Sequence, residues 1–316
     1  MVDYSILSPN LIAYEGGIIM YLGVDYYPEH WDKGRWPLDV EMMASAGLNV
    51  VRLAEFAWSF LEPQEGVFDF DWLDEAIGIL SEKGIRVVMG TPTATPPQWI
   101  YKKHPDILPV DRNRIRKNQG SRRHYCLNNP TYHDYTRRIV EKMAAHYSNN
   151  PAVIGWQIDN EFGCHDTTRC YCDYCLRAFQ RWAKDKYGRL EALNKAWGTI
   201  FWSQVYTDWD EIPLPWSTPT SPNPSLTLDF YRFSSDSNVR YQQLQIDIIR
   251  RLAPHHFITH NMMGLFDEID YFDLARSLDF IAWDNYPGLN FAGETNPIRI
   301  SLSHDLMRGL KRGNFW

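Results

Sequence analysis

The chain has 316 residues, a net charge of −7, and 22% charged against 44% hydrophobic residues. That balance excludes an intrinsically disordered chain and gives no electrostatic drive toward nucleic acid or an anionic membrane. No apolar run reaches the ~18 residues of a transmembrane helix, while aromatics are abundant at 15%, enough flat rings to fill a large core and line a ligand cleft.

Residues 1–19 show little periodicity, and the first Lys or Arg is Lys33. The secretory pattern of a basic start followed by an apolar stretch is missing, so cytoplasm is the expected compartment. Met20 directly precedes the first strand pattern and reads as the true start, with 1–19 an extension of separate origin. A strand is predicted over 21–27. Pro37 then opens a helix with Leu38, Met42, Met43 and Ala46 at helical spacing, stopped by Gly47. The second strand is predicted over 50–58. Asp71 is read as the cap of a helix carrying Leu73, Ile77 and Leu80 and ending at Gly84. A third strand follows over 86–91, then a long loop over 92–127. Asn129-Pro130 opens a helix with Ile139 and Met143 inward, and the fourth strand runs over 153–161. About 95 residues separate it from a fifth strand over 257–262; they hold most of the cysteines, at least two helices, and a Pro/Ser/Thr loop over 213–225. The sixth strand is predicted over 280–286, and 314–316 begins a seventh.

Strands alternating with helices make an α/β fold with a parallel sheet. No G-x-G-x-x-G follows the first strand, so a dinucleotide fold has no support. The expectation is a (β/α)8 TIM barrel with about six and a half of its strands in this chain and an inserted cysteine-rich region. Barrel chemistry sits at the C-terminal strand ends. Those ends are rich in polar and aromatic residues: Asp25, Tyr26, Glu29 and His30; Glu55 and Trp58; Asn160 and Glu161; His260 and Asn261; Asp284, Asn285 and Tyr286. Alternation along the fourth strand places Asp159 and Glu161 on one face.

Several stretches together resemble the family-42 glycoside hydrolases, the β-galactosidases. They are Gly23-Val24-Asp25-Tyr26-Tyr27-Pro28-Glu29-His30-Trp31, Arg52-Leu53-Ala54-Glu55-Phe56-Ala57-Trp58, the Thr91 to Pro97 loop, Trp156 through Gly163, and Trp197 through Gln204. The resemblance covers residues 20–316. It implies a barrel catalytic domain that hydrolyses terminal non-reducing β-D-galactose with retention. It also implies Glu161 as acid/base, Asn160 as a galactose contact, Arg122 and Trp202 as residues that contact or wall the sugar, and a homotrimer in the full-length protein. Hydrolysis with retention needs a second carboxylate ~5 Å from the first. The family carries it as a Glu just after an aromatic-Trp pair such as Phe315-Trp316, where this chain stops. The sequence is therefore expected to be the N-terminal part of a longer enzyme, inactive alone; Glu29, Glu55 and Glu294 are the other carboxylates weighed for that place.

Cys170-x-Cys172-x-x-Cys175 supplies three soft ligands on one tight loop, and Cys126 in the loop after the third strand supplies a fourth. Four thiolates fill a tetrahedral structural zinc site. Cys164 is read as a free thiol, with His124 and His165 as alternative ligands. The sequence leaves four other readings. A non-catalytic carbohydrate-binding protein, or another retaining barrel glycosidase, would share the same strand ends. A metallohydrolase built on Asp25, His30 and His260 lacks H-x-H or H-E-x-x-H spacing. A nucleic-acid module would rest on the basic stretch 112–123 alone.

Overall fold

The computed structural model describes residues 20–286 and 297–311. The extension at 1–19, Glu294 and the strand expected at 314–316 lie outside the described residues. Parallel strands β1 (Gly23–Asp25), β2 (Val50–Leu53), β3 (Arg86–Gly90), β4 (Val153–Gln157) and β5 (Phe257–Thr259) pair in that order, each with its predecessor. His260 alone separates β5 from β6 (Asn261–Met262), which pairs in parallel with β7 (Ala282–Trp283). β5 and β6 thus act as one barrel strand, joined to β4 at its start and to β7 at its end. Six consecutive parallel strand positions without a reversal of order are the topology of a (β/α)8 barrel; a doubly wound sheet would reverse at a switch point.

The strands form because β-branched and large apolar residues recur in short runs between helices. Val51, Leu53, Val87, Met89, Trp156 and Ile258 are all buried. Helix α1 (Trp36–Ser45) buries Trp36 and Val40, with Met43 and Ala44 half-buried. Leu38 and Met42, expected inward, are 58% and 50% exposed. They lie about 160° around the helix from the Trp36/Val40 stripe, close to the opposite face, and that stripe wins because it carries the larger ring and the Asp39 carboxylate. That carboxylate accepts from Arg35 Nε at 2.9 Å and Tyr26 OH at 3.2 Å. After the one-turn α2 (Trp58–Leu61) comes α3 (Asp71–Glu82), which buries Leu73, Ala76, Ile77 and Leu80. Its expected cap is displaced: Phe70 holds the N-cap position, Asp71 begins the helix, and the Asp69 carboxylate accepts from the Asp71 N–H at 3.1 Å. The long loop contains α4 (Gln98–Lys103). Helix α5 (Pro130–Tyr147) does start on Asn129, whose side chain accepts from the Tyr132 N–H.

The insertion folds as three helices: α6 (Asp173–Tyr187), α7 (Leu190–Trp197) and α8 (Pro224–Leu252). They enclose a second core around Phe179, Trp197, Phe230 and Phe233. Burying each such ring contributes roughly 1.5–3 kcal/mol. Asp229 lies within it, accepting from Lys186 Nζ and Tyr187 OH, both at 2.6 Å, and from Trp197 Nε1 at 3.0 Å. Short α9 (Tyr271–Ala275) precedes β7, and α10 (Pro297–Gly309) follows it.

Candidate active site

β4 ends at Gln157, four residues before the predicted end. Beyond it, Asp159 and Glu161 take left-handed backbone angles, φ 50° and 42°. Each costs about 1–2 kcal/mol for a non-glycine residue, so something must hold this turn. The holder is Arg123, itself left-handed (φ 61°) and 1% exposed. Its Nη1 donates to Asp159 Oδ1 at 2.5 Å and to the Asn160 carbonyl at 3.1 Å. Asp159 also accepts from Thr93 Oγ1 at 2.6 Å, Tyr125 OH at 2.8 Å and the Asn160 N–H at 2.7 Å. Charge-assisted bonds of this kind contribute about 1.5–3 kcal/mol each, enough to offset the backbone strain. The shared face expected for Asp159 and Glu161 is thereby lost. The turn buries Asp159 completely and leaves Glu161 at the cleft, its side chain 15% exposed.

Glu161 Oε2 pairs with Arg122 Nη2 at 2.9 Å and accepts from Asn160 Nδ2 at 3.3 Å. The structure thus brings Glu161, Asn160 and Arg122 together. Two further strand ends join them. The Glu161 N–H donates to Asn261 Oδ1 at 3.1 Å, and Asn261 Nδ2 donates to Asn160 Oδ1 and to Asp284 Oδ2, both at 3.0 Å. Burial, together with its hydrogen bond to Glu161, pushes the Asp284 carboxyl up to about 7.

Across the barrel mouth stands a group the sequence showed only as part of a motif. Arg52, on β2, donates from Nε to Glu55 Oε1 at 3.0 Å, from Nη1 to Gln157 Oε1 at 2.5 Å, and from Nη2 to Asp25 Oδ2 at 2.7 Å. Tyr27 OH donates to Glu55 Oε1 at 2.8 Å. Arg52 joins the ends of β1, β2 and β4 through three hydrogen bonds from its fixed fork of donors, and its spacing of three from Glu55 was the available signal. Glu55 reaches its place because Ala54 breaks the strand with φ 76° and because Gly90 lies beneath it; a Cβ on Gly90 would stand 2.4 Å from that of Glu55.

Trp202 stacks on Phe201 at 5.0 Å and is 68% exposed, on a left-handed backbone. His260, weighed as a metal ligand, is a buried scaffold residue. Its Nδ1 bonds to the Ile158 carbonyl at 2.7 Å and its Nε2 accepts from the Phe162 N–H at 3.3 Å. Burial lowers its pKa to about 4, so the ring stays neutral. The basic stretch 112–123 is also drawn into the fold rather than offered to phosphate. Besides Arg122 and Arg123, Lys117 pairs with Asp166 at 3.5 Å and Arg114 lies over Trp216 at 4.8 Å.

The sulfurs of Cys126, Cys170, Cys172 and Cys175 all lie within 4.8 Å of one another, Cys126 Sγ being 3.5 Å from Cys172 and 3.4 Å from Cys175. Tetrahedral Zn–S bonds of ~2.3 Å place sulfurs ~3.8 Å apart, so these residues fit that ion. Backbone N–H groups of Val110 and Asn128 donate to Cys170 and Cys126, each at 3.4 Å, as suits thiolates. Among the described residues neither His124 nor His165 joins the cluster, and Cys164 stands apart from it as a buried free thiol.

The sequence model of glycoside hydrolase family 42, described as beta-galactosidase, matches residues 25–316. The chain belongs to family 42. A β-galactosidase of Thermus thermophilus is 50% identical over 93% of this family-42 chain and 48% of its own length. One of Halorubrum lacusprofundi is 47% identical over 94% and 44%. Among solved structures, the β-galactosidase of the psychrophilic Marinomonas ef1 superposes with a TM-score of 0.90 at 43% identity, covering 94% of this chain and 47% of that one. The chain spans about half the length of the curated relatives it matches. No helix among its described residues is long and apolar enough to cross a membrane.

Proposed function

We propose that this chain carries the acid/base side of a retaining β-galactosidase acting on terminal non-reducing β-D-galactose. The observation that supports it most is Glu161, a half-buried carboxyl at a barrel strand end held by Arg122 and Asn160. Glu161 protonates the departing glycosidic oxygen and then, as carboxylate, takes a proton from the water that releases the sugar. Asn160 and Arg122 turn their donors toward galactose hydroxyls, and Trp202 offers an aromatic face to the sugar's C–H side. The second carboxylate must stand ~5 Å away to attack from the opposite face. Asp284 is engaged by Asn261 Nδ2 at 3.0 Å. Glu55 is turned to Arg52 and Tyr27.

A structural zinc held by Cys126, Cys170, Cys172 and Cys175 belongs to the same reading. It supplies no chemistry to the sugar; it ties the loop after β3, which carries Arg122, to the loop after β4, which carries Glu161. A cytoplasmic location suits thiols left unpaired by disulfides. Assembly as a homotrimer would cover apolar surface such as Ile200 and Phe201, both more than 65% exposed.

The test is titration of isotope-labelled galactose, followed by NMR, beside assays with a nitrophenyl β-galactoside. The chain is expected to bind galactose without saturable turnover, and Glu161→Gln to keep that binding. Failure to bind galactose overturns the reading. Saturable hydrolysis that survives Glu161→Gln places the acid/base elsewhere. In any active form that retains this barrel, Glu161→Gln is expected to cost about 10²–10⁴-fold in turnover, the usual contribution of a general acid.

A further inference from the structure

Asn261 is 4% exposed, and its amide is committed at both ends. Its Oδ1 accepts the Glu161 N–H at 3.1 Å, and its Nδ2 donates to Asn160 Oδ1 and to Asp284 Oδ2, both at 3.0 Å. A backbone N–H can only donate. The atom of Asn261 that faces it must therefore be the oxygen, and the nitrogen must face the other way. That nitrogen is a pure donor, so Asn160 has to answer it with its own oxygen. Asn160 Nδ2 is then turned to Glu161 Oε2, 3.3 Å away. One backbone N–H thus sets the polarity of two side-chain amides in succession. Neither amide can turn over alone, because either flip sets nitrogen against nitrogen on one side and oxygen against oxygen on the other.

We propose that Asn261 is a positioning residue for the acid/base site: it sets the polarity of the Asn160 amide, so that Asn160 presents its N–H groups, and not its carbonyl, to Glu161 and to the sugar. The inference rests on the roles of Glu161 and Asn160 proposed above. Asn160 Nδ2 carries two N–H groups. One goes to Glu161 Oε2, and the other suits a hydroxyl oxygen of galactose. A reversed amide would press a carbonyl against the Glu161 carboxylate and offer the sugar only an acceptor. The same Asn261 holds the turn itself. Its Oδ1 secures the N–H of Glu161, whose backbone is left-handed, from the β6 side. Arg123 secures Asp159 and the Asn160 carbonyl from the loop after β3. Asp284 anchors Asn261 in turn. It takes the second N–H of Asn261 Nδ2, and its own N–H donates to the Met262 carbonyl at 2.7 Å, which fixes it beside β6.

The experiment exchanges the two partners of one hydrogen bond. Asn261→Asp keeps an oxygen for the Glu161 N–H and removes both donors. It is expected to lower the denaturant midpoint and to weaken galactose binding about tenfold or more, the cost of buried polar groups left without partners. Asn261→Asp combined with Asp284→Asn restores a donor and an acceptor between the two positions, in the reverse direction. The carboxylate at position 261 then accepts from position 284 and from Asn160, whose amide must turn over to supply the donor. The double variant is therefore expected to recover the midpoint but not the galactose affinity. Asn160 is also read without galactose, by NMR. A nuclear Overhauser contact between its side-chain N–H protons, assigned by their loss in Asn160→Asp, and the γ protons of Glu161 is expected in the parent chain and lost in both variants. Galactose affinity unchanged by Asn261→Asp, affinity that recovers with the midpoint in the double variant, or a contact that persists in Asn261→Asp overturns the proposal; a merely structural Asn261 behaves that way. A parent chain that does not bind galactose strikes the acid/base reading, and the contact between Asn160 and Glu161 still decides the role of Asn261.

Discussion

Stripping metal from the chain with a strong chelator is expected to release about one zinc per chain and to melt the insertion before the barrel. Apparent zinc affinities of four-thiolate peptide sites are about 10–16 kcal/mol, and a ligand bound only by the folded state adds RT ln(1 + [L]/Kd) to stability. Even trace free zinc then contributes several kcal/mol. The loss falls first on the insertion because Cys172 and Cys175 lie at the start of α6, and because Cys126 is packed in the same core as Phe179 and Phe230. Cys175→Ser should reproduce the effect, since Cys175 is 1% exposed and lies 3.4 Å from Cys126. Zinc is counted by elemental analysis on protein purified without chelator, and unfolding is followed by far-ultraviolet circular dichroism. Less than half an equivalent of zinc, with unchanged melting after chelation, would remove the metal from the account.

Asp159→Ala is expected to cost about 3–5 kcal/mol, the range for breaking one side of a buried ion pair. Arg123 and Asp159 are 1% and 0% exposed, so the guanidinium left behind has no water to turn to. The same substitution releases the left-handed turn that presents Glu161, and galactose binding should weaken with it. Tyr125→Phe serves as the comparison: it removes one of the bonds to Asp159 while keeping the charge pair, and should cost about 1 kcal/mol. Denaturant unfolding of the three proteins measures this. A loss under about 1 kcal/mol for Asp159→Ala would show that the turn is held by packing rather than by charge.

Much of the barrel is legible in the sequence. The apolar runs that became β2, β3 and β4, and the stripes of α3 and α5, follow from periods of two and 3.6 that local sterics impose. The boundaries were less legible. The predicted strands at 50–58 and 153–161 both run too far, because Ala54, Asp159 and Glu161 leave the extended region under the pull of partners far along the chain. The face of α1 was misread for a similar reason: Leu38 and Met42 are as apolar as their neighbours, and only the sheet decides which stripe is covered. Arg123, within a stretch that looks like a solvated basic loop, is among the most buried charges in the molecule.

The candidate site divides in the same way. Glu161, Asn160 and Arg122 could be named from motifs, as could the four cysteines, because the residue types and their local spacing already carry the chemistry. The sequence by itself determined the alternation of strands and helices, the strand ends that bear polar groups, and the family. The tertiary structure alone decided that Asp159 turns inward while Glu161 faces the cleft, that Asn261 joins Asn160 to Asp284, and that Cys126 meets three cysteines more than forty residues away. Local periodicity arises from backbone geometry over a few residues. The pairing of distant groups depends on how loops bring strand ends together, and one buried arginine there outweighs the alternation of the strand that precedes it.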